Sequence, residues 1–314
     1  MFRTEIPIEK SQHQINYDAR ILSLGSCFAQ NISEKLSFFK FQNTANPFGI
    51  IFNPIAIERI VERSVNQEFY TEKDIFFHNE MWHCFEVHSK LSAPSKDLFL
   101  ENLNHLLKTT FSELQTISHC IITLGTSWIY RNNHSANVVA NCHKIPQNQF
   151  TKELLSTATI TKSIANTINL IESVNEKVHF IFTISPVRHL KDGFVENNVS
   201  KSNLITSLFK IIEDNAALDY FPSYEILLDE LRDYRFYADD MLHPSQIAIE
   251  YIWKKFRESY IQNDLNPILN EIDSIQKSLL HKPFNENSQS HVAFLQKLQL
   301  KIEKIAIQFP TIKF

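Results

Sequence analysis

Glycine is nearly absent. The 314-residue chain holds four, Gly25, Gly49, Gly125 and Gly193, roughly a fifth of what an ordinary usage of about 7% would supply. A chain that avoids glycine and still keeps one needs backbone freedom at that place, and each of the four falls beside a candidate site loop. Long apolar runs are missing as well. Nothing approaches the ~18 consecutive apolar residues of a membrane-spanning helix, and the opening MFRTEIPIEK lacks the charged and apolar regions of a secretory signal. Charge of one sign is not concentrated anywhere: 31 basic and 35 acidic residues are interleaved, for a net charge of −4. No basic block suggests a nucleic-acid groove, so neither nucleic acid nor membrane is expected as a partner. Cys27, Cys84, Cys120 and Cys142 stand too far apart for a disulfide framework or a zinc motif. Reduced thiols in the cytoplasm are therefore expected. His78, His83, His88 and His143 lie near two of these cysteines in the sequence, without a recognised zinc spacing. No metal or other cofactor is expected.

The segments that are present alternate between strand and helix patterns. RILSLG at 20–25, CIITLG at 120–125 and VHFIFTIS at 178–185 read as buried strands, and YEILLDEL at 224–231 as a fourth. Helical spacing follows Gly25. It recurs at 54–64 behind Pro54, a favoured first helical position, and again at 97–112, 151–175, 198–216 and 244–260. Residues 67–92 suggest a short hairpin, and 126–150 read as irregular. Strands separated by helices predict an α/β domain with a parallel sheet, a three-layer α/β/α sandwich of flavodoxin-like kind.

From about residue 261 the pattern changes. Ile268, Ile272, Ile275 and Leu279 share one helical face, and Leu295, Leu298, Ile302 and Ile305 another. The expected organisation is an N-terminal segment at 1–19, the α/β domain at 20–257 and a C-terminal helical hairpin at 258–314. That hairpin either packs back on the domain or forms a contact between copies in a homo-oligomer.

Open α/β sheets bind ligands outside the carboxyl ends of their strands, where Gly25, Gly125 and Ser185 would lie. Ser26 and Cys27 sit where the first strand turns into a helix. A thiolate there gains from the helix N-terminus, which can lower a cysteine pKa from about 8.5 towards neutrality. His243, with Asp240 three residues earlier, supplies a base and its orienting acid on one loop. The plainer alternatives are a buried small residue at 27 and a helix-capping loop before Pro244. Arg188 and His189 follow the third strand and either contact an anionic substrate group or serve structure. Lys144, Lys191 and Lys201 add positive charge nearby. Trp82 and Trp128 are candidates for a pocket wall or for core packing.

LGSCFA at 24–29, NPFGIIFNP at 46–54, NCHKIP at 141–146, SPVRHLKDG at 185–193, SKSNL at 200–204 and YFPSYEILLDELRDYRFYADDMLHPS at 220–245 together resemble the GSCFA domain family, which is related to the SGNH (GDSL-like) hydrolases. The resemblance spans roughly residues 20–257. It implies an SGNH-like architecture and ester chemistry. By position, Cys27 takes the place of the nucleophilic serine, Ser26 that of the neighbouring aspartate, and Asp240 and His243 that of the last block. Ser26 is the alternative nucleophile. Gly49 matches the glycine that supplies an oxyanion N–H. Gly125-Thr126-Ser127-Trp128 stands where those enzymes have Gly-x-Asn-Asp, so Ser127 offers a hydroxyl in place of an amide. Two readings follow from this resemblance. One is an acyl-ester hydrolase or acyltransferase acting on a small-molecule or glycan ester. The other is a non-catalytic module binding a glycan or an acylated molecule in a degenerate cleft.

Overall fold

The computed structural model describes residues 4–213, 215, 218–285 and 288–314. Its centre is a five-stranded sheet built from β1 (Arg20–Gly25), β2 (Gln42–Ala45), β3 (His119–Leu124), β4 (His179–Ile184) and β5 (Leu218–Tyr220). All neighbours pair in parallel, in the order β5-β4-β3-β1-β2. This is the doubly wound order 2-1-3-4-5, whose switch point lies between β1 and β3.

Side chains alternate across the strands, and that alternation builds two cores. Leu22, Leu24, Cys120, Ile122, Phe180 and Phe182 face a layer of α2 (Pro54–Val65), α3 (Lys96–Leu114), α4 (Thr157–Glu172) and α5 (Phe194–Ile212). Ile21, Ile121 and Ile181 face the opposite layer, with α1 (Cys27–Phe38) and α6 (Gln246–Tyr260). The three-layer α/β/α sandwich expected from the sequence is therefore what the chain forms.

The C-terminal hairpin, α7 (Asn266–Leu279) and α8 (Gln289–Gln308), joins the second core. Leu269, Ile272, Ile275, Leu298 and Ile305 are buried there, in the same cluster as Phe39 and Trp253. Gln276 donates to the carbonyl of Phe38 at 2.9 Å, and Tyr17 packs its ring against Phe309. Of the two uses open to the hairpin, packing back on its own domain accounts for these residues. Leu279 and Leu295 remain exposed. At the other end of the chain, Ile15 forms an isolated parallel bridge with Ile261.

Three stretches depart from the sequence reading. Residues 224–231 are not a strand. Ser223–Glu225 is a helical turn that continues as a π-helical turn at Ile226–Leu231, and the strand falls just before it, at β5. An apolar run this short does not distinguish helix from strand by period. The segment 126–150 is not wholly irregular, because Trp128–Asn132, Val138–Val139 and Phe150–Leu154 form an antiparallel three-stranded sheet. The helix expected at 151–175 begins only at Thr157 for the same reason. The small hairpin in 67–92 is present as Phe76–His78 paired with Met81–His83.

Candidate active site

A cleft of about 490 Å³ opens at the carboxyl edge of the sheet, at the β1/β3 switch point. Cys27 and His243 both line it, although 215 positions separate them in the sequence. Ser26, Asn53, Thr126, Arg188 and His189 line it too.

Gly25 fixes where Cys27 emerges. Its φ is +131°, and a Cβ there would lie 2.1 Å from the carbonyl oxygen of Thr123 on the next strand. The side chain of Asn46 accepts its N–H at 2.8 Å. Ser26 is buried and caps α1, accepting the N–H of Phe28 at 3.2 Å. Cys27 is then the first residue of the helix, half-buried at the floor of the cleft. Burial pushes its thiol above the ordinary cysteine range, and the charge of Asp240 adds to this. The N–H groups of Cys27 and Phe28 and the charge of Lys201 pull the other way. The expected lowering by the helix N-terminus is thus outweighed by desolvation, and a proton acceptor is needed to make the thiolate.

His243 can be that acceptor. Its Nδ1 lies 2.6 Å from Asp240 Oδ2. Asp240 Oδ1 accepts the N–H groups of Leu242 and His243, each at 2.9 Å. These hydrogen bonds hold the exposed Asp240 carboxyl down at about 2. Asp240 therefore stays ionised and orients the ring, which leaves Nε2 as the nitrogen for chemistry. The turn is braced at its base by the bridge between Tyr237 and Pro244 and by Ala238 N–H donating to the carbonyl of His243 at 2.8 Å.

Arg188 and His189 occupy the facing wall. The Arg188 guanidinium lies over Tyr237, 4.2 Å from its centroid, and over Tyr234 at 5.4 Å. The backbone N–H of Arg188 donates to the carbonyl of Leu242 at 3.2 Å. Arg188 thereby ties the loop after β4 to the histidine turn while also lining the cleft. His189 stacks on Phe52 at 5.1 Å. Burial, with Lys201 and His243 nearby, pushes it down to about 3, so its ring is neutral.

The expected oxyanion donors are engaged elsewhere. Gly49 donates its N–H to the carbonyl of Asn46 at 2.7 Å, and its α-carbon packs against His88. The positive φ of Gly49, +78°, serves that turn. Gly125 donates to the carbonyl of Phe52 at 2.7 Å. Ser127 is wholly buried, with its N–H on Ser200 Oγ at 2.8 Å and its hydroxyl on the carbonyl of Ser200 at 3.1 Å. These three residues shape the cleft from behind.

Asn53 does line the cleft. Its Oδ1 caps α2 by accepting the N–H of Ala56 at 2.9 Å, which fixes the orientation of the amide. The Nδ2 group has no acceptor among the described residues, and Asn53 lines the cleft with Cys27. The sequence signal was Asn53-Pro54, which reads as a helix cap and nothing more. Ile50, Phe52, Trp128 and Tyr130 give the cleft an apolar side. The indole of Trp128 is covered by Lys152, whose Nζ lies 4.5 Å from its centroid.

The histidines outside the cleft bond to protein. His83 reaches Ser92 Oγ and the carbonyl of His78, and His143 donates to the carbonyl of Cys84 at 2.7 Å. Among the described residues, no group of three or more acidic, histidine or cysteine side chains is placed to hold a metal. All four cysteines are unpaired. No helix among the described residues is long and apolar enough to cross a membrane.

No curated protein matches the chain in sequence. Among solved structures, a carbohydrate esterase family 3 protein from Talaromyces cellulolyticus is 8% identical, with 81% of this chain and 99% of that one covered at a TM-score of 0.37. A family 3 carbohydrate esterase from Clostridium thermocellum is 10% identical, covering 80% of this chain and 97% of that one at a TM-score of 0.35. Likenesses this distant leave the chemistry of the cleft to its own geometry. The family model described as GSCFA family matches residues 20–256, and that of the GSCFA domain protein C-terminal domain matches 272–314. The chain therefore belongs to the GSCFA family.

Proposed function

We propose that the protein is an acyl-ester hydrolase or acyltransferase with Cys27 as its nucleophile. The observation that carries this reading is the shared cleft, which brings Cys27 together with a histidine already oriented by an ionised carboxylate. A nucleophile, a base and an orienting group are the minimum set for covalent acyl transfer.

The steps balance without a cofactor. His243 Nε2 takes the proton from Cys27 Sγ, and the thiolate attacks the ester carbonyl. The N–H of Cys27 and the amide of Asn53 are the donors available to the oxyanion. The tetrahedral species collapses, the ester C–O bond breaks, and the alcohol leaves with the proton from His243. Water or a second alcohol, deprotonated by His243, then attacks the thioester. The acid or a new ester is released, and the thiol is restored.

Ser26 is the weaker nucleophile, because its hydroxyl is buried and capping α1. The binding-module alternative drew its strength from the missing oxyanion asparagine, and Asn53 supplies an amide from a different element. The apolar wall of Ile50, Phe52 and Trp128 fits an acyl chain or a sugar ring. Hydrolysis of a short-chain aryl ester by the wild type and by Cys27→Ala, Ser26→Ala and His243→Ala tests the proposal. Activity lost in Cys27→Ala and His243→Ala but largely kept in Ser26→Ala is expected. Equal background rates in all four would support the non-catalytic alternative.

A further inference from the structure

Lys201 is the most deeply buried cation of the sheet edge. It is 1% exposed, on the inner face of α5. Its Nζ donates to the carbonyls of Gly125 and Ser185, both at 2.7 Å. These carbonyls cap the ends of β3 and β4, directly behind the loop that carries Cys27, whose neighbour Ser26 donates to Thr123 on β3 at 3.1 Å. No carboxylate pairs with Lys201 among the described residues. The ring of Tyr224 approaches at 5.6 Å.

A buried ammonium without a counter-charge is costly, and a buried charge is ordinarily paired. Of the groups facing Lys201, Tyr224 contributes only its ring, and His189 is neutral. Cys27 is the acid whose charge reaches it. Around Cys27, Lys201 favours the thiolate while Asp240 opposes it, and His243 lines the same cleft.

We infer that Lys201 is a positioning residue for Cys27: its Nζ, pinned to the carbonyls of Gly125 and Ser185, supplies the positive charge that compensates the Cys27 thiolate. This rests on Cys27 being the nucleophile. Two directions of charge shift agree with it. Burial draws Lys201 down to about 7 while Cys27 pulls it back up, and Lys201 in turn pulls the thiol down. The two groups are therefore coupled: an ionised Cys27 favours the ammonium of Lys201, and the ammonium favours the thiolate. Lys201 moves no proton to substrate, because it does not line the cleft and two of its three N–H groups are held by backbone carbonyls.

The test is iodoacetamide labelling followed by peptide mass mapping across pH, with Cys142 in the same cleft as internal control. In Lys201→Met the Cys27 labelling midpoint should rise by about one pH unit, a rate loss on the order of tenfold below it, while Cys142 is unchanged. A folded Lys201→Met protein with an unmoved Cys27 profile would overturn the inference, since a lysine that only ties strand ends together alters stability and not that profile. If Lys201→Met does not fold, the reciprocal measurement remains. The ¹³Cε titration of Lys201 is followed in the wild type and in Cys27→Ser. Coupling is mutual, so losing the thiolate should lower the Lys201 midpoint, and identical midpoints would refute the pairing. Neither readout needs turnover. An inactive protein that still shows the coupling therefore loses the proposed reaction but keeps the pair.

Discussion

The Asn53 amide caps α2 and, in the proposed reaction, also serves the oxyanion, and its two ends are separable. The oxygen caps α2, and the nitrogen of this cleft-lining residue has no acceptor among the described residues. Asn53→Ala removes both. It should cost about 1 kcal/mol of stability for the lost cap and, in the proposed reaction, on the order of 10²–10³ in kcat. Asn53→Asp keeps a capping oxygen and removes the donor. Equilibrium unfolding should therefore show near-wild-type stability for Asn53→Asp while ester turnover falls as far as in Asn53→Ala. Turnover retained in Asn53→Asp would remove Asn53 from the oxyanion site. The residues most legible in the sequence were those whose chemistry is unusual where they stand, Cys27 at a strand-to-helix turn and Asp240 three before His243. Asn53 was hidden because an asparagine before proline already has a sufficient reason to be there. Gly49 and Ser127 misled for the converse reason: the positions match, but hydrogen bonds to Asn46 and Ser200 have already engaged them.

The elements that position the site differ in how openly the sequence declares them. β1, β3 and β4 are six-residue apolar runs on which both faces are covered, and such runs declare themselves. The three-stranded sheet at 128–154 is short, polar and half-exposed, so no period emerges from it. Yet it delivers Trp128 and Tyr130 to the cleft from alternate positions of one strand. Trp128→Ala is expected to raise KM for bulky esters several-fold with little change in kcat, because the wall binds ground state and transition state alike. An equal drop in kcat would mean that Trp128 takes part in the chemistry. The sequence placed Lys201 among the charges near the site, but its burial was hidden because a lysine within a helix reads as its solvent face. The available signal was the company it keeps: Asn197, Ser200, Lys201, Leu204, Ser207 and Leu208 are all buried, and their spacing marks one inward stripe of small and polar residues on α5.

At the scale of the molecule, the C-terminal hairpin completes the second core. Burying each of Leu269, Ile272, Ile275, Leu298 and Ile305 contributes about 1.5–3 kcal/mol. Their sum rivals the roughly 5–15 kcal/mol of net stability typical of a domain. A chain ended after Leu265 should therefore fail to unfold cooperatively in calorimetry, whereas a hairpin that is merely appended would leave the transition unchanged. Buried neutral histidines, His189 in the cleft among them, set the response to acid. His119 is buried, with its Nε2 3.0 Å from the carbonyl of His13, and burial pushes it down to about 4. Burial likewise lowers His143 to about 4. The unfolded chain binds these protons first. The stability is thus complete above the ordinary imidazole range near 6.5 and is lost as pH falls towards 4. Urea midpoints should drop across that window, and less steeply in His119→Gln. An unchanged slope in that variant would assign the acid sensitivity elsewhere. Asp240, held at about 2, remains ionised throughout the same window.

The central claim is that Cys27 carries the acyl group and His243 makes it able to do so. Acid-quenched peptide mapping after brief exposure to an aryl acetate addresses it directly. The account predicts an acetyl mass on the peptide containing Cys27, localised to the thiol in the wild type and absent in His243→Ala. An acetyl group on Ser26, on no residue, or on Cys27 equally in both proteins would contradict it.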